Sequence, residues 1–184
     1  MKRYLILLLL CLLTACATGR PPGDPLHYST AAFSVDIPRG WKRIDTSKYL
    51  LITRDSPYLE YILVQEIDVD RPFKHTSKKF KKGMLPQELA EIIIDEISSD
   101  PLVANFRVLE NDPVKIKQYR GFRLVFSFQT RDGLKQQTIY HGFLIDDTFY
   151  SIRYNTSKRE FLERDRESFN KVLNSFTLLS RLST

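Results

Sequence analysis

Cysteine is nearly absent from this chain. Cys11 and Cys16 are the only two among 184 residues, so everything after Cys16 lacks a thiol for a disulfide, a nucleophile or a soft-metal site. Histidine is almost as scarce: His27, His75 and His141 lie far apart and are not spaced to share a metal. The seven glycines form no phosphate-cradling loop, and neither G-x-S-x-G nor H-E-x-x-H occurs. These absences argue against the common hydrolase and nucleotide-dependent classes. No catalytic residue, metal site or cofactor is assigned, and the chain is expected not to be an enzyme. A long apolar run is also missing. The one run present, residues 4–13, is much shorter than the roughly 20 residues a membrane-spanning helix needs.

What that run does have is context. Lys2 and Arg3 precede it and Leu13-Thr14-Ala15-Cys16 follows it, which is the basic, apolar and small-residue order of an export signal. The four residues resemble the lipobox of a bacterial lipoprotein precursor, matching at every position. That resemblance implies a signal peptide over residues 1–15 and a diacylglyceryl group on the sulfur of Cys16, with further acylation of its new amine. Two or three buried acyl chains, at about 0.8 kcal/mol per CH2, make a durable anchor where one would be marginal. Residue 17 is Ala; an aspartate there is the familiar inner-membrane retention signal, so the resemblance implies outer-membrane delivery with the domain facing the periplasm, in a host with two membranes.

Residues 16–32 read as the lipidated cysteine and a flexible tether, rich in Gly and Pro around Pro21-Pro22-Gly23-Asp24-Pro25. A single domain is expected over residues 33–178 and a short tail over 179–184. The 28 basic residues against 22 acidic fall to 26 against 22 once Lys2 and Arg3 leave with the signal, a mild excess that does not suggest a nucleic-acid partner.

The domain's pattern is mixed. Strand alternation marks Phe33 to Ile37, Leu50 to Thr53, the stripe Leu59, Tyr61, Leu63, Ile67 and Val69, and the stretch Phe122 to Gln129. Arg131-Asp132-Gly133 has hairpin-turn chemistry, and the strands at about 136–145 and 149–154 continue it as an antiparallel meander. Short strands at 106–109 and 114–116 are expected around a turn at Asn111-Asp112-Pro113. Pro86 suits a first helical position, and Leu89, Ile93 and Ile97 make an apolar stripe opposite Glu88, Glu91 and Asp95. Ser157-Lys158-Arg159-Glu160 has the spacing of a capping box for a last helix, with Asp165 among the charges of its solvated face. The class is therefore α+β: an antiparallel sheet packed against two main helices.

Two places are candidates for contact with something else. Residues 71–82 concentrate positive charge in Arg71, Lys74, Lys78, Lys79, Lys81 and Lys82. This stretch reads first as a solvated loop, with an anionic lipid surface or acidic partner as the competing reading. Trp41, just after Pro38-Arg39-Gly40, reads as a core plug, with a place beside a ligand cleft as the alternative. His141 alternates with Ile139, Phe143 and Ile145 and reads as a core histidine.

Phe33-Ser-Val-Asp-Ile-Pro38-Arg-Gly40-Trp41 and Val172-Leu-Asn-Ser175-Phe176, with the order strands, helix, meander, helix, resemble the PsbP-like proteins and the Ran-binding Mog proteins. The resemblance implies an antiparallel sheet between helices and licenses no role by itself. The functional expectation is a non-catalytic envelope lipoprotein that binds or helps assemble a protein partner. The alternative is a carrier of a small ligand or lipid in an aromatic cleft, and an unrecognised hydrolase stands last. A monomeric domain is expected.

Overall fold

Apolar alternation and two amphipathic stretches produce strands and helices in nearly the expected places. The computed structural model describes residues 26–179 except 45, 47 and 48, so the expected lipobox and Cys16 lie outside the described residues. The strands are β1 (Leu26–Ser29), β2 (Phe33–Ile37), β3 (Lys42–Ile44), β4 (Tyr49–Thr53), β5 (Glu60–Asp68), β6 (Val103–Ile116), β7 (Tyr119–Thr130), β8 (Lys135–Ile145), β9 (Thr148–Thr156) and β10 (Thr177–Leu178). The helices are α1 (Pro86–Ser98) and α2 (Arg159–Ser175).

The strands form a seven-stranded sheet in the order β3-β4-β5-β9-β8-β7-β6 and a three-stranded one in the order β1-β2-β10. All pairings are antiparallel. The large sheet is buried on both faces at its centre. Phe122, Leu124, Phe126, Tyr140 and Phe149 meet Leu89, Ala90 and Ile93 of α1 on one side. Ile52, Ile62, Val64, Ile152 and Tyr154 meet Phe169 and Val172 of α2, with Val35 of β2, on the other. The fold is α+β, with helices on opposite faces of an antiparallel sheet. Beneath Phe122 and Phe149 on the α1 face, β8 carries Gly142, whose missing Cβ would stand 2.6 Å from the rings of both.

Four local expectations change. Leu26–Ser29, expected in the tether, pairs with β2 in register Leu26↔Ile37 and ties down the chain well before Phe33. Asn111-Asp112-Pro113 is no turn but part of the 14-residue β6. A proline is tolerated there because β6 is an edge strand, where an N–H can be missing without breaking a ladder. The capping box at Ser157 does not form: the cap is Lys158, with no side-chain hydrogen bond, and Ser157 Oγ is buried without a partner. Ser157 N–H instead donates to Leu59 O at 2.8 Å, which continues the β5–β9 pairing and delays the helix. Asp165, placed on the solvated face of α2 by its charge, is fully buried.

Candidate functional site

Helix α1 covers only part of its face of the sheet, and where it ends at Ser98 a cleft of about 610 Å3 is left between helix and strands. Side chains that alternate along β5, β7, β8 and β9 reach its floor. Tyr61, Phe126, Phe128, Thr138, Arg153 and Asn155 supply that floor, and Ile97 and Leu102 close one wall. The volume lies within the usual range for ligand sites, but the cleft is an open groove and not an enclosed cavity.

A row of polar side chains is fixed across the floor. Thr138 Oγ1 donates to Asn155 Oδ1 at 2.7 Å, Asn155 Nδ2 donates to Gln136 Oε1 at 2.8 Å, and Gln136 Nε2 donates to Tyr58 O at 3.4 Å. Asn155 thereby has both ends of its amide committed. Arg153 beside it does not: its Nε is buried with no hydrogen-bond partner, and it makes no ion pair among the described residues. Its neighbour is the Tyr61 ring, 6.0 Å from the guanidinium carbon. Tyr140, on the same face, has its phenol pushed up by burial, with the charge of Arg153 opposing the shift.

Two of the three carboxylates at the rim are occupied. Glu96 accepts the backbone N–H of His75 at 3.1 Å and both the N–H and the hydroxyl of Thr76 at 3.0 Å. Asp100 accepts the N–H of Leu102 at 2.9 Å and faces His75 Nε2 at 3.5 Å.

These contacts dock the basic stretch onto α1. It is a loop, but its two phenylalanines turn inward: Phe80 is 3% exposed and stacks on Phe149 at 4.2 Å, and the half-buried Phe73 meets Phe80 edge-on at 5.0 Å. Lys78 pairs with Asp95, and Lys82 pairs with Asp147 at 2.7 Å. Arg71, Lys74, Lys79 and Lys81 are exposed and make no ion pair among the described residues. They do not line the cleft.

Trp41 lies on the opposite face of the sheet from the cleft. It is 7% exposed, meets Tyr154 edge-on at 6.3 Å and carries Arg54 over its ring at 5.8 Å. His27 pairs with Asp36 at 2.8 Å, and His141 is buried against Phe169 at 5.7 Å. Among the described residues no group of three His, Cys, Asp or Glu could hold a metal ion.

Under the start of α2 lies a second polar cluster that sequence reasoning missed. Asp165 and Glu60, both fully buried, hold Arg164, whose Nη2 is 2.6 Å from Asp165 Oδ2 and 3.4 Å from Glu60 Oε2. Arg54 reaches Asp165 Oδ1 at 3.0 Å, and Tyr154 OH donates to Phe161 O at 3.1 Å. Burial raises the Glu60 carboxyl, against the backbone N–H groups of Asp55 and Arg54 that favour its charge. Burial, then the charges of Asp165 and Glu60, push the Tyr154 phenol well above its ordinary range. Every strong charge here has a partner, so the cluster ties the β4–β5 loop to α2. The signal was available: Asp165 falls three residues after Leu162 and four before Phe169, on the apolar stripe.

The layered arrangement matches solved structures. The cyanobacterial PsbP of Synechocystis sp. PCC 6803, CyanoP, superposes with a TM-score of 0.64 at 11% identity, over 91% of this chain and 99% of that one. The fold is PsbP-like. The Ran-binding protein Mog1p of Saccharomyces cerevisiae shares it, with a TM-score of 0.55 at 10% identity over 84% of this chain and 96% of that one. So does LpqN of Mycobacterium tuberculosis, described as involved in cell envelope biogenesis, with a TM-score of 0.56 at 11% identity over 88% of each chain. At such identities the likeness shows the PsbP-like fold alone. No protein-family model matches the sequence, and no curated protein sequence matches it.

Proposed function

We propose that this protein is a non-catalytic accessory module of the bacterial envelope, held to the outer membrane by lipid on Cys16, that receives a segment of a protein partner in the cleft beside α1. The observation that carries the reading is the open groove whose floor is polar and ordered yet includes an uncommitted guanidinium, Arg153. An open groove can admit a chain lying across it, whereas a carrier of a small apolar ligand needs a site that buries most of its cargo. The names of two structural neighbours support binding as a use of this fold: Mog1p is Ran-binding, and LpqN is tied to envelope biogenesis.

The anchor and the site are tested separately. Cys16→Ser protein expressed in the host should leave the membrane fraction, and retention there would overturn the lipid anchor. A photo-crosslinking residue at Phe128, in the cleft, should capture a discrete partner in native membranes, and one at Glu163, on exposed α2, should not. Capture from Glu163 alone would move the partner site to the other face.

A further inference from the structure

The deepest uncommitted charge in the cleft identifies the chemistry that fills it. Arg153 sits on β9, the fourth strand of seven, and its Nε is sealed from water without a hydrogen-bond partner. Two guanidiniums on the opposite face of the sheet are answered: Arg54 and Arg164 share Asp165. Leaving a buried polar group unpaired costs free energy, and more so for a charged one. The carboxylates lining the cleft do not relieve it: Glu96 is held by His75 and Thr76, Asp100 by Leu102 and His75, and Asp132 makes no ion pair with Arg153.

We infer that Arg153 receives one carboxylate, flanked by apolar residues, from the partner's chain; the inference rests on the cleft being the partner site. A guanidinium fork matches a carboxylate in two parallel hydrogen bonds, an arrangement the local acids do not supply. Phe126 and Phe128 on the floor and Ile97 and Leu102 on the wall suit apolar neighbours on either side of that carboxylate. An acidic run does not fit, because Glu96, Asp100 and Asp132 surround the mouth and would repel the additional charges.

The test uses the full-length lipidated protein in nanodiscs and three labelled peptides: acetyl-Gly-Ser-Phe-Asp-Phe-Ser-Gly-amide, its Asp→Asn counterpart, and one with Glu in place of both Phe. The Asp peptide should bind at least tenfold more tightly than the Asn peptide and the triply acidic one. Arg153→Gln should bring the Asp and Asn peptides within twofold of each other while the melting temperature holds. A benzophenone replacing the first Phe should crosslink to residues lining the cleft. Crosslinking in the cleft with equal binding of Asp and Asn peptides would overturn the carboxylate and leave the cleft standing. Crosslinking elsewhere, or no binding by any peptide, would overturn both. A competing titration with dodecanoate that displaced the Asp peptide through Arg153 at lower concentration would assign the site to free amphiphiles and also defeat the proposal.

Discussion

The backbone N–H of Asp36 donates to the hydroxyl of Ser175 at 2.9 Å, joining residues 139 apart in sequence. The Ser175 hydroxyl in turn donates to Val172 O at 3.0 Å, and Phe33 stacks on Phe176 at 5.6 Å alongside. The two short segments that suggested the fold, one in β2 and one closing α2, are therefore the two halves of a single joint. Ser175→Ala should leave the Asp36 N–H without a partner in a partly buried place. The expected loss is about 1 kcal/mol, or a fall of about 2–4 °C in melting temperature for a domain of this size. Unchanged melting would show that the joint rests on the aromatic stack alone.

Asp165 tests the buried cluster. Asp165→Ala removes the acceptor shared by Arg54 and Arg164, whose side chains keep 32% and 35% exposure. Because both can turn partly to water, the loss should fall near about 3 kcal/mol, the low end for breaking a buried pair. Denaturant unfolding measures it. A loss under 1 kcal/mol would mean that the cluster is not what ties the β4–β5 loop to α2.

His141 predicts acid sensitivity. Burial, with the positive charge of Arg123 behind it, pulls its pKa from 6.5 down to about 4. The folded protein thus holds His141 neutral where the unfolded chain would protonate it. Its contribution is full above pH 6.5 and is lost as pH falls through about 4. A shift of this size is worth about 3 kcal/mol across that window. Thermal melts of the native protein and of His141→Leu between pH 7 and pH 4 should diverge, with the variant losing less stability on acidification. Parallel curves would refute a neutral, buried His141.

Arg153 predicts the reverse of ordinary truncation. Since it makes no hydrogen bond or ion pair among the described residues, Arg153→Met removes only its contact with the Tyr61 ring and a poorly solvated charge. Stability should stay within about 0.5 kcal/mol of the parent or rise, because a cation–π contact at a partly exposed site is worth about 0.5–1 kcal/mol and the relief of desolvation offsets it. A drop of several degrees in melting temperature would show that Arg153 is part of the scaffold and not reserved for a partner.

Much of the architecture was legible locally. Alternation in Phe122 to Gln129, the Asp-Gly turn and the stripes of the two helices depend on neighbours within a few residues, and a periodic pattern reports which side of an element is apolar. The sequence by itself determined the α+β class and the hairpin ladder, because each is written in short-range order. It did not determine which polar residues are enclosed. Charge marked Asp165 as solvent-facing, yet its cluster is completed from afar, as Arg164 beside it reaches Glu60, 104 residues away in sequence. Tertiary structure alone decided that β6 runs through Pro113, since only its place at the sheet edge makes the missing N–H harmless. It decided in the same way that the basic loop docks through Phe80 and that Arg153 stays unanswered. Pairing and burial are properties of what the fold brings near, and a pattern read along one strand carries no record of its neighbours.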